Sequence, residues 1–339
     1  MADLMGEYGS VESAEFSRDS AYIVTGTKYD NTVRVFRTAD GVMQWQTRLP
    51  AEIERVAWTG DGRRVVSVSE DHQMRVIDAG TGEVLRAFRH RAGIDSLALS
   101  HDGTIMAMGE ESLHDSDPDS EPTAEVVLYN TETWEEIGRV FQGSTANEIS
   151  FSPDDAYFVV VGGAHMKAWD TATRSLRYQN EVFYDSEYPQ WSRFICVKIS
   201  PDGRYVVVGA NHGWLYFYHA STGEYIRRLN KTGDKIETVE WTADSRYVLS
   251  AGKVNVIDFI ATRHALDTAL NNRSVPIALR VPLTDHLEYM HFNASGALLT
   301  TAHQDGTVQL WTYMADNPGI NQRSHAGLSA QQEADFDRR

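Results

Sequence analysis

Seven positions recur along the chain at near-regular spacing, and most carry a carboxylate. They are Glu12, Glu54, Asp95, Asn147, Ile195, Glu237 and Glu288, separated by 42, 41, 52, 48, 42 and 51 residues. Each is the second residue of a short apolar run. Five like charges brought close together repel one another, so something must compensate them. Water suffices at an open surface; a cation or a Lys- or Arg-bearing partner does better. The plainer reading is an ordinary polar position at a strand entry.

Two further stretches carry side chains suited to chemistry or binding. Residues Glu110–Pro122 read EESLHDSDPDSEP, with Glu110, Glu111, Asp115, Asp117, Asp119, Glu121 and the flanking Glu125. Calcium takes oxygen ligands, and alternating carboxylates open an EF-hand loop. Here the sixth position from Asp115 is Ser120 rather than Gly, and the twelfth is Val126 rather than Glu. The stretch therefore reads as a solvated acidic loop, and no metal site is assigned. Residues Asn180–Ser192 read NEVFYDSEYPQWS and supply Tyr184, Tyr188 and Trp191 together with Phe183. Exposed aromatics anchor interfaces; the alternative is that they fold back as a satellite cluster.

Linear signatures of catalysis do not occur. There is no G-x-S-x-G elbow, no H-E-x-x-H helix, no Walker loop and no G-x-G-x-x-G fingerprint. The twelve histidines are scattered. His165 and His212 read as turn residues and His291 as a strand residue, with structural or solvent-facing roles. The single cysteine, Cys196, cannot form an internal disulfide and aligns with Ser13, Ser96 and Thr238. It reads as a buried packing residue with an unreactive thiol. The chain is expected to be no enzyme and to need no cofactor.

The elements that must position these residues follow from the repeat. Units begin at Val11, Ile53, Ile94, Ala146, Phe194, Ile236 and Leu287, as in IERVAWTGDGRRVVSV and FICVKISPDGRYVVVG. Apolar runs rich in Val, Ile, Tyr and Phe alternate with turns of the Ser-Pro-Asp-Gly kind. In the second unit the strands are expected near Ile53–Thr59, Arg64–Ser69, Gln73–Asp78 and Val84–Phe88. Seven four-stranded units with a base period near 42 residues predict an all-β, seven-bladed propeller over residues 1–314. Residues 315–339 are expected to form a flexible or surface-draped tail.

These units resemble WD40 repeats, over about residues 4–314. Ile77-Asp78, Trp169-Asp170, Ile257-Asp258 and Trp311 stand where that family ends its third strand; Trp169-Asp170 alone matches literally. Asp30, Asp71 and Asp305 fit the family's turn aspartate, and His90 fits its histidine before a first strand. No unit carries the full set, so the repeats are degenerate. The resemblance implies an interaction scaffold, as one subunit of a larger complex. It also implies that the last blade is completed by the N-terminal segment, here Ala2–Met5. Alternative readings are a propeller hydrolase with calcium at the Glu/Asn column, and an exported binding module.

Composition limits the partners. The chain has 339 residues, 31 Lys+Arg against 48 Asp+Glu, and a formal net charge of −17. Nucleic-acid binding needs a basic footprint, so it is not expected. A protein partner with a basic surface is. The expected binding residues are Glu12, Glu54, Asp95, Asn147, Glu237, Glu288, Tyr184, Tyr188 and Trp191. No apolar run approaches a membrane span. The first twenty residues lack a basic and apolar leader pattern, which points to the cytoplasm; a leader already removed leaves the exported reading open.

Overall fold

The computed structural model describes residues 9–112, 123–181, 192–230, 234–270, 276–314 and 319–322. Its contacts divide into two compact units, Met1–Phe88 with Asp285–Arg339, and Arg89–Thr284.

The first unit holds three four-stranded antiparallel sheets. They are β1 (Val11–Phe16), β2 (Tyr22–Thr27), β3 (Thr32–Arg37) and β4 (Met43–Arg48); β5 (Ile53–Trp58), β6 (Arg64–Ser69), β7 (Gln73–Asp78) and β8 (Val84–Arg89); and β25 (Leu287–Phe292), β26 (Leu298–His303), β27 (Val308–Met314) and β28 (Gly319–Gln322). The second unit holds four more. These are β9 (Ile94–Leu99), β10 (Ile105–Glu110), β11 (Ala124–Asn130) and β12 (Glu136–Gly143); β13 (Glu148–Phe151), β14 (Tyr157–Gly162), β15 (His165–Asp170) and β16 (Leu176–Glu181); β17 (Phe194–Ile199), β18 (Tyr205–Ala210), β19 (Trp214–His219) and β20 (Tyr225–Asn230); and β21 (Ile236–Trp241), β22 (Tyr247–Gly252), β23 (Val256–Ala261) and β24 (Ile277–Pro282). Seven four-stranded blades make this the all-β, seven-bladed propeller class expected from the repeats. One helical turn, α1 (Thr262–Ala265), precedes the delayed fourth strand β24.

The repeated turn explains the repeated sequence. In six blades a hydroxyl donates to the carboxylate two residues on: Ser17 to Asp19 (2.6 Å), Thr59 to Asp61 (2.6 Å), Ser100 to Asp102 (2.7 Å), Ser152 to Asp154 (2.7 Å), Ser200 to Asp202 (2.6 Å) and Thr242 to Asp244 (2.6 Å). The fourth residue of each turn has a positive φ: Ser20, Gly62, Gly103, Asp155, Gly203, Ser245 and, in the last blade, Gly296. Only Gly adopts that region without penalty, and Ser, Asp and Asn tolerate it better than bulkier residues. The small or polar residue at that place is therefore a backbone requirement.

Packing between the first and second blades is apolar. Val24, Val33 and Val35 of the first blade meet Ile53, Val56 and Val65 of the second. First strands lie side by side, β1 beside β5 and β25 in one unit, and β9, β13, β17 and β21 in succession in the other. Gly209 shows how close that approach is, because a Cβ there would lie 2.5 Å from Cys196 Sγ and 2.8 Å from Ile236. Cys196 is buried as expected, and burial pushes its thiol pKa well up.

One expectation is overturned. The last blade takes its fourth strand from β28, which pairs with β27 in the register Trp311↔Gln322 to Met314↔Gly319. Residues 319–322 lie in the stretch read from sequence as a tail, whereas Ala2–Met5 fall outside the described residues. The physical reason is locality. A hairpin partner four residues downstream costs less closure entropy than a segment brought from the other end of the chain.

Candidate functional site

Three carboxylates of the repeat column have a lysine beside them. In the first unit the Lys28 ammonium, on the β2–β3 turn, lies 3.6 Å from Glu12 Oε2 and 3.3 Å from Glu54 Oε2. Burial alone would lower the Lys28 pKa. The charges of Glu54 and Glu12 outweigh it and hold the pKa above its ordinary value, with Glu70 adding to them. The same ammonium fills the place that a bound cation would take between the two carboxylates. Glu288, on β25, has His286 Nδ1 3.8 Å from its Oε1.

In the second unit, Lys235 Nζ lies 2.6 Å from Glu237 Oε2, whose side chain is nearly buried at the start of β21. Asn147 immediately precedes β13; its Nδ2 donates to the Phe194 carbonyl at 2.7 Å. That amide braces two neighbouring blades. Asp95 is half-buried on β9, and Ile195 is half-buried on β17. Tyr184, Tyr188 and Trp191 lie outside the described residues.

Sequence reasoning missed two neighbours of the column. Glu148 follows Asn147; it accepts from the Val197 amide at 2.7 Å and pairs with Lys198 at 3.2 Å. Tyr29 follows Lys28 and is 72% exposed with a φ of 68°. A bulky residue in the left-handed region is uncommon and costs conformational energy. The available signal was the K-Y-D-N turn itself, where the family aspartate Asp30 sits one residue on.

The acidic stretch of the third blade also needs correction. Glu110 ends strand β10 and its side chain is fully buried, not solvated. Arg91 approaches it at 3.4 Å, His90 Nδ1 at 3.8 Å and Arg139 at 3.9 Å. Burial would raise the Glu110 pKa, but the neighbouring His90 and the charges of Arg91 and Arg139 bring it below the usual value. Arg91 and Arg139 reach Glu125 at 3.1 and 3.2 Å, and Arg139 also pairs with Glu136 at 2.7 Å. Asp115, Asp117, Asp119 and Glu121 lie outside the described residues.

The family-like turn residues are structural. Asp30 accepts from Thr27 and Arg34, and Asp71 accepts from Ser69 (2.7 Å) and Arg75. Asp305 receives the Thr307 amide at 2.9 Å. Asp170 of the Trp-Asp pair receives the Thr173 amide (2.9 Å) and hydroxyl (2.9 Å) and the Arg177 guanidinium (3.0 Å); these hold its pKa at about 2. His212 Nε2 lies 3.2 Å from the Tyr216 hydroxyl.

Comparison with known proteins agrees with this architecture. Residues 15–102 match the family model of the anaphase-promoting complex subunit 4 WD40 domain, and residues 280–312 match that of the WD domain, G-beta repeat. The chain is 22% identical over 219 residues to the serine-threonine kinase receptor-associated protein of Gallus gallus, covering 63% of this chain and 56% of that protein. It is 26% identical over 260 residues to protein tipD of Dictyostelium discoideum, covering 74% of this chain and 40% of that protein. It is 21% identical over 280 residues to eukaryotic translation initiation factor 3 subunit I of Aspergillus terreus, covering 77% and 78%. The chain thus spans about half the length of the first two. No helix among the described residues is long and apolar enough to cross a membrane.

Proposed function

We propose, starting from a chain that belongs to the WD40-repeat β-propeller family, that it acts by binding rather than catalysis, as a protein-interaction scaffold. Relatives named as a receptor-associated protein and as a subunit of an initiation factor support that class of role. The partner surface we assign is the carboxylate column, and the partner chemistry a Lys- or Arg-bearing segment. The observation that carries this is the arrangement at Lys28. Glu12 and Glu54 both lie against the Lys28 ammonium, and Glu70 adds a third negative charge to its field. The exposed Tyr29 follows Lys28 in the same turn, and its ring face suits a cation. Glu288 is proposed as a further binding residue of the same unit, Asp95, Asn147 and Glu237 as binding residues of the other unit, and the aromatics Tyr184, Tyr188 and Trp191 as further anchors. A cytoplasmic location fits a scaffold of this kind.

Affinity capture from the source lysate tests it, comparing wild type with a variant carrying Glu12→Gln, Glu54→Gln, Asp95→Asn, Glu237→Gln and Glu288→Gln. Loss of a salt-sensitive partner from a variant that keeps its melting temperature supports the surface. An unchanged partner set from a folded variant overturns it.

A further inference from the structure

A second place in the molecule has the opposite electrostatic character. Strand β15 alternates strictly. Met166 and Ala168 are fully buried in the core shared with the fifth blade. His165, Lys167 and Trp169 occupy the other face. Trp169 packs against the apolar cluster that includes Val140 of β12. Lys167 Nζ reaches the backbone of the same strand, donating to the carbonyls of Gln142 (2.7 Å) and Phe141 (3.3 Å). These residues form one polar seam between the third and fourth blades.

The seam holds more hydrogen-bonding capacity than the protein uses. Gln142 is 1% exposed, yet neither its Nε2 nor its Oε1 has a hydrogen-bond partner. Trp169 Nε1 and His165 Nδ1 are likewise buried without one. Buried amides and indoles are normally paired, so three unused groups in one seam call for an explanation. Lys167 adds a charge. It is buried at 9% exposure, and among the described residues no carboxylate lies within ion-pair distance of it. Burial accordingly lowers its pKa. Its two carbonyl partners satisfy donors but leave the positive charge uncompensated.

We propose that this seam binds a carboxylate group, with Lys167 as its counter-charge and the Gln142 amide and Trp169 indole as its donors. A single cation balances a single negative charge. A dianionic phosphate would exceed it, and Glu181, 3.9 Å from His165, adds to the mismatch. The Phe141 ring, 51% exposed and 5.5 Å from Lys167 Nζ, marks the solvent end of the seam. The carboxylate has two natural sources: an Asp or Glu side chain of a protein partner, or a small free carboxylic acid.

Two-dimensional ¹H–¹⁵N spectra of the full chain test this, following the Trp169 indole and Gln142 amide signals. These are assigned from Trp169→Phe and Gln142→Leu. Sodium acetate and a capped Gly-Glu-Gly peptide are titrated against sodium chloride at matched ionic strength. The expected result is a saturable shift of both signals with at least one probe, weakened roughly tenfold or more in Lys167→Met. A stronger response to the peptide identifies a protein side chain as the source; a stronger response to acetate identifies a free acid. Gln142→Leu guards against a folding artefact. It removes an unpaired amide, so its melting temperature rises while the Trp169 response to the probe is lost. Shifts no larger than those with chloride overturn the proposal. So does a lowered melting temperature in Gln142→Leu with probe binding unchanged, which would mean that structural water holds the amide.

Discussion

Two acidic places in this molecule hold the same side chain in opposite company. Beside Lys28, two glutamates share one ammonium at the entry of β1 and β5. At the end of β10, Glu110 faces His90, Arg91 and Arg139, and the two arginines also pair with Glu125 and Glu136. The ratio of counter-charges decides what each can do. Glu110 is held from several sides in a fully buried position, so its role is architectural. Glu12 and Glu54 instead meet one partly exposed ammonium at the entry of two strands, the setting proposed above for recognition of a cation. The lesson is that a carboxylate's role follows from how many cations the fold brings to it.

The largest effect should come from breaking the buried member. Glu110→Ala removes the buried carboxylate that Arg91 donates to and that faces Arg139 and His90, and should cost about 3 kcal/mol, read from chemical denaturation. A loss below about 1 kcal/mol would mean that Glu125 and Glu136 already satisfy the arginines. The acid limb sharpens the same point. The folded pKa of Glu110 lies below its usual value near 4.5. Its contribution is therefore present above that value and disappears as pH falls through the folded pKa. Melting temperatures between pH 6 and pH 3 should fall less steeply in Glu110→Gln than in wild type.

Lys28→Met should cost less, about 1 kcal/mol, because the Lys28 side chain is partly exposed. Its sign on the pH axis is reversed. The Lys28 pKa is raised on folding, so its contribution is full below the ordinary lysine value and is lost as pH rises through the folded one. A double variant with Glu54→Gln should recover part of the loss, and strict additivity would show that the pair does not interact. The smallest change in stability is expected for Tyr29→Asn, within about 0.5 kcal/mol of wild type, because Asn tolerates the left-handed turn. Affinity for a basic partner should nonetheless drop, and an unchanged affinity would remove Tyr29 from the proposed surface.

Much of the architecture was legible without coordinates. The strands expected at Arg64–Ser69 and Gln73–Asp78 are β6 and β7 with the same bounds. Each Ser/Thr-x-Asp turn is local chemistry, closed within five residues, and so is visible in a linear pattern. The carboxylate column was legible for the same reason, as one register position repeated blade after blade. Glu110 was misread because an acidic run looks solvated until its partners are known, and Arg139 lies 29 positions further along. Lys167 and Gln142 gave no signal, being ordinary residues 25 positions apart on different blades.

What the amino-acid sequence determined by itself is therefore the repeat: seven four-stranded units, their turns, and the positions at which a strand begins. Alternation of apolar residues and the conformational preferences of Gly, Ser and Asp act over a few residues, and they suffice for that. Only the tertiary structure decided that Lys28 stands between two blades' glutamates, that Glu110 is buried, and that β28 completes the last blade. Those outcomes depend on charges and strand edges brought together from distant parts of the chain, and no local pattern records which partner packing will select.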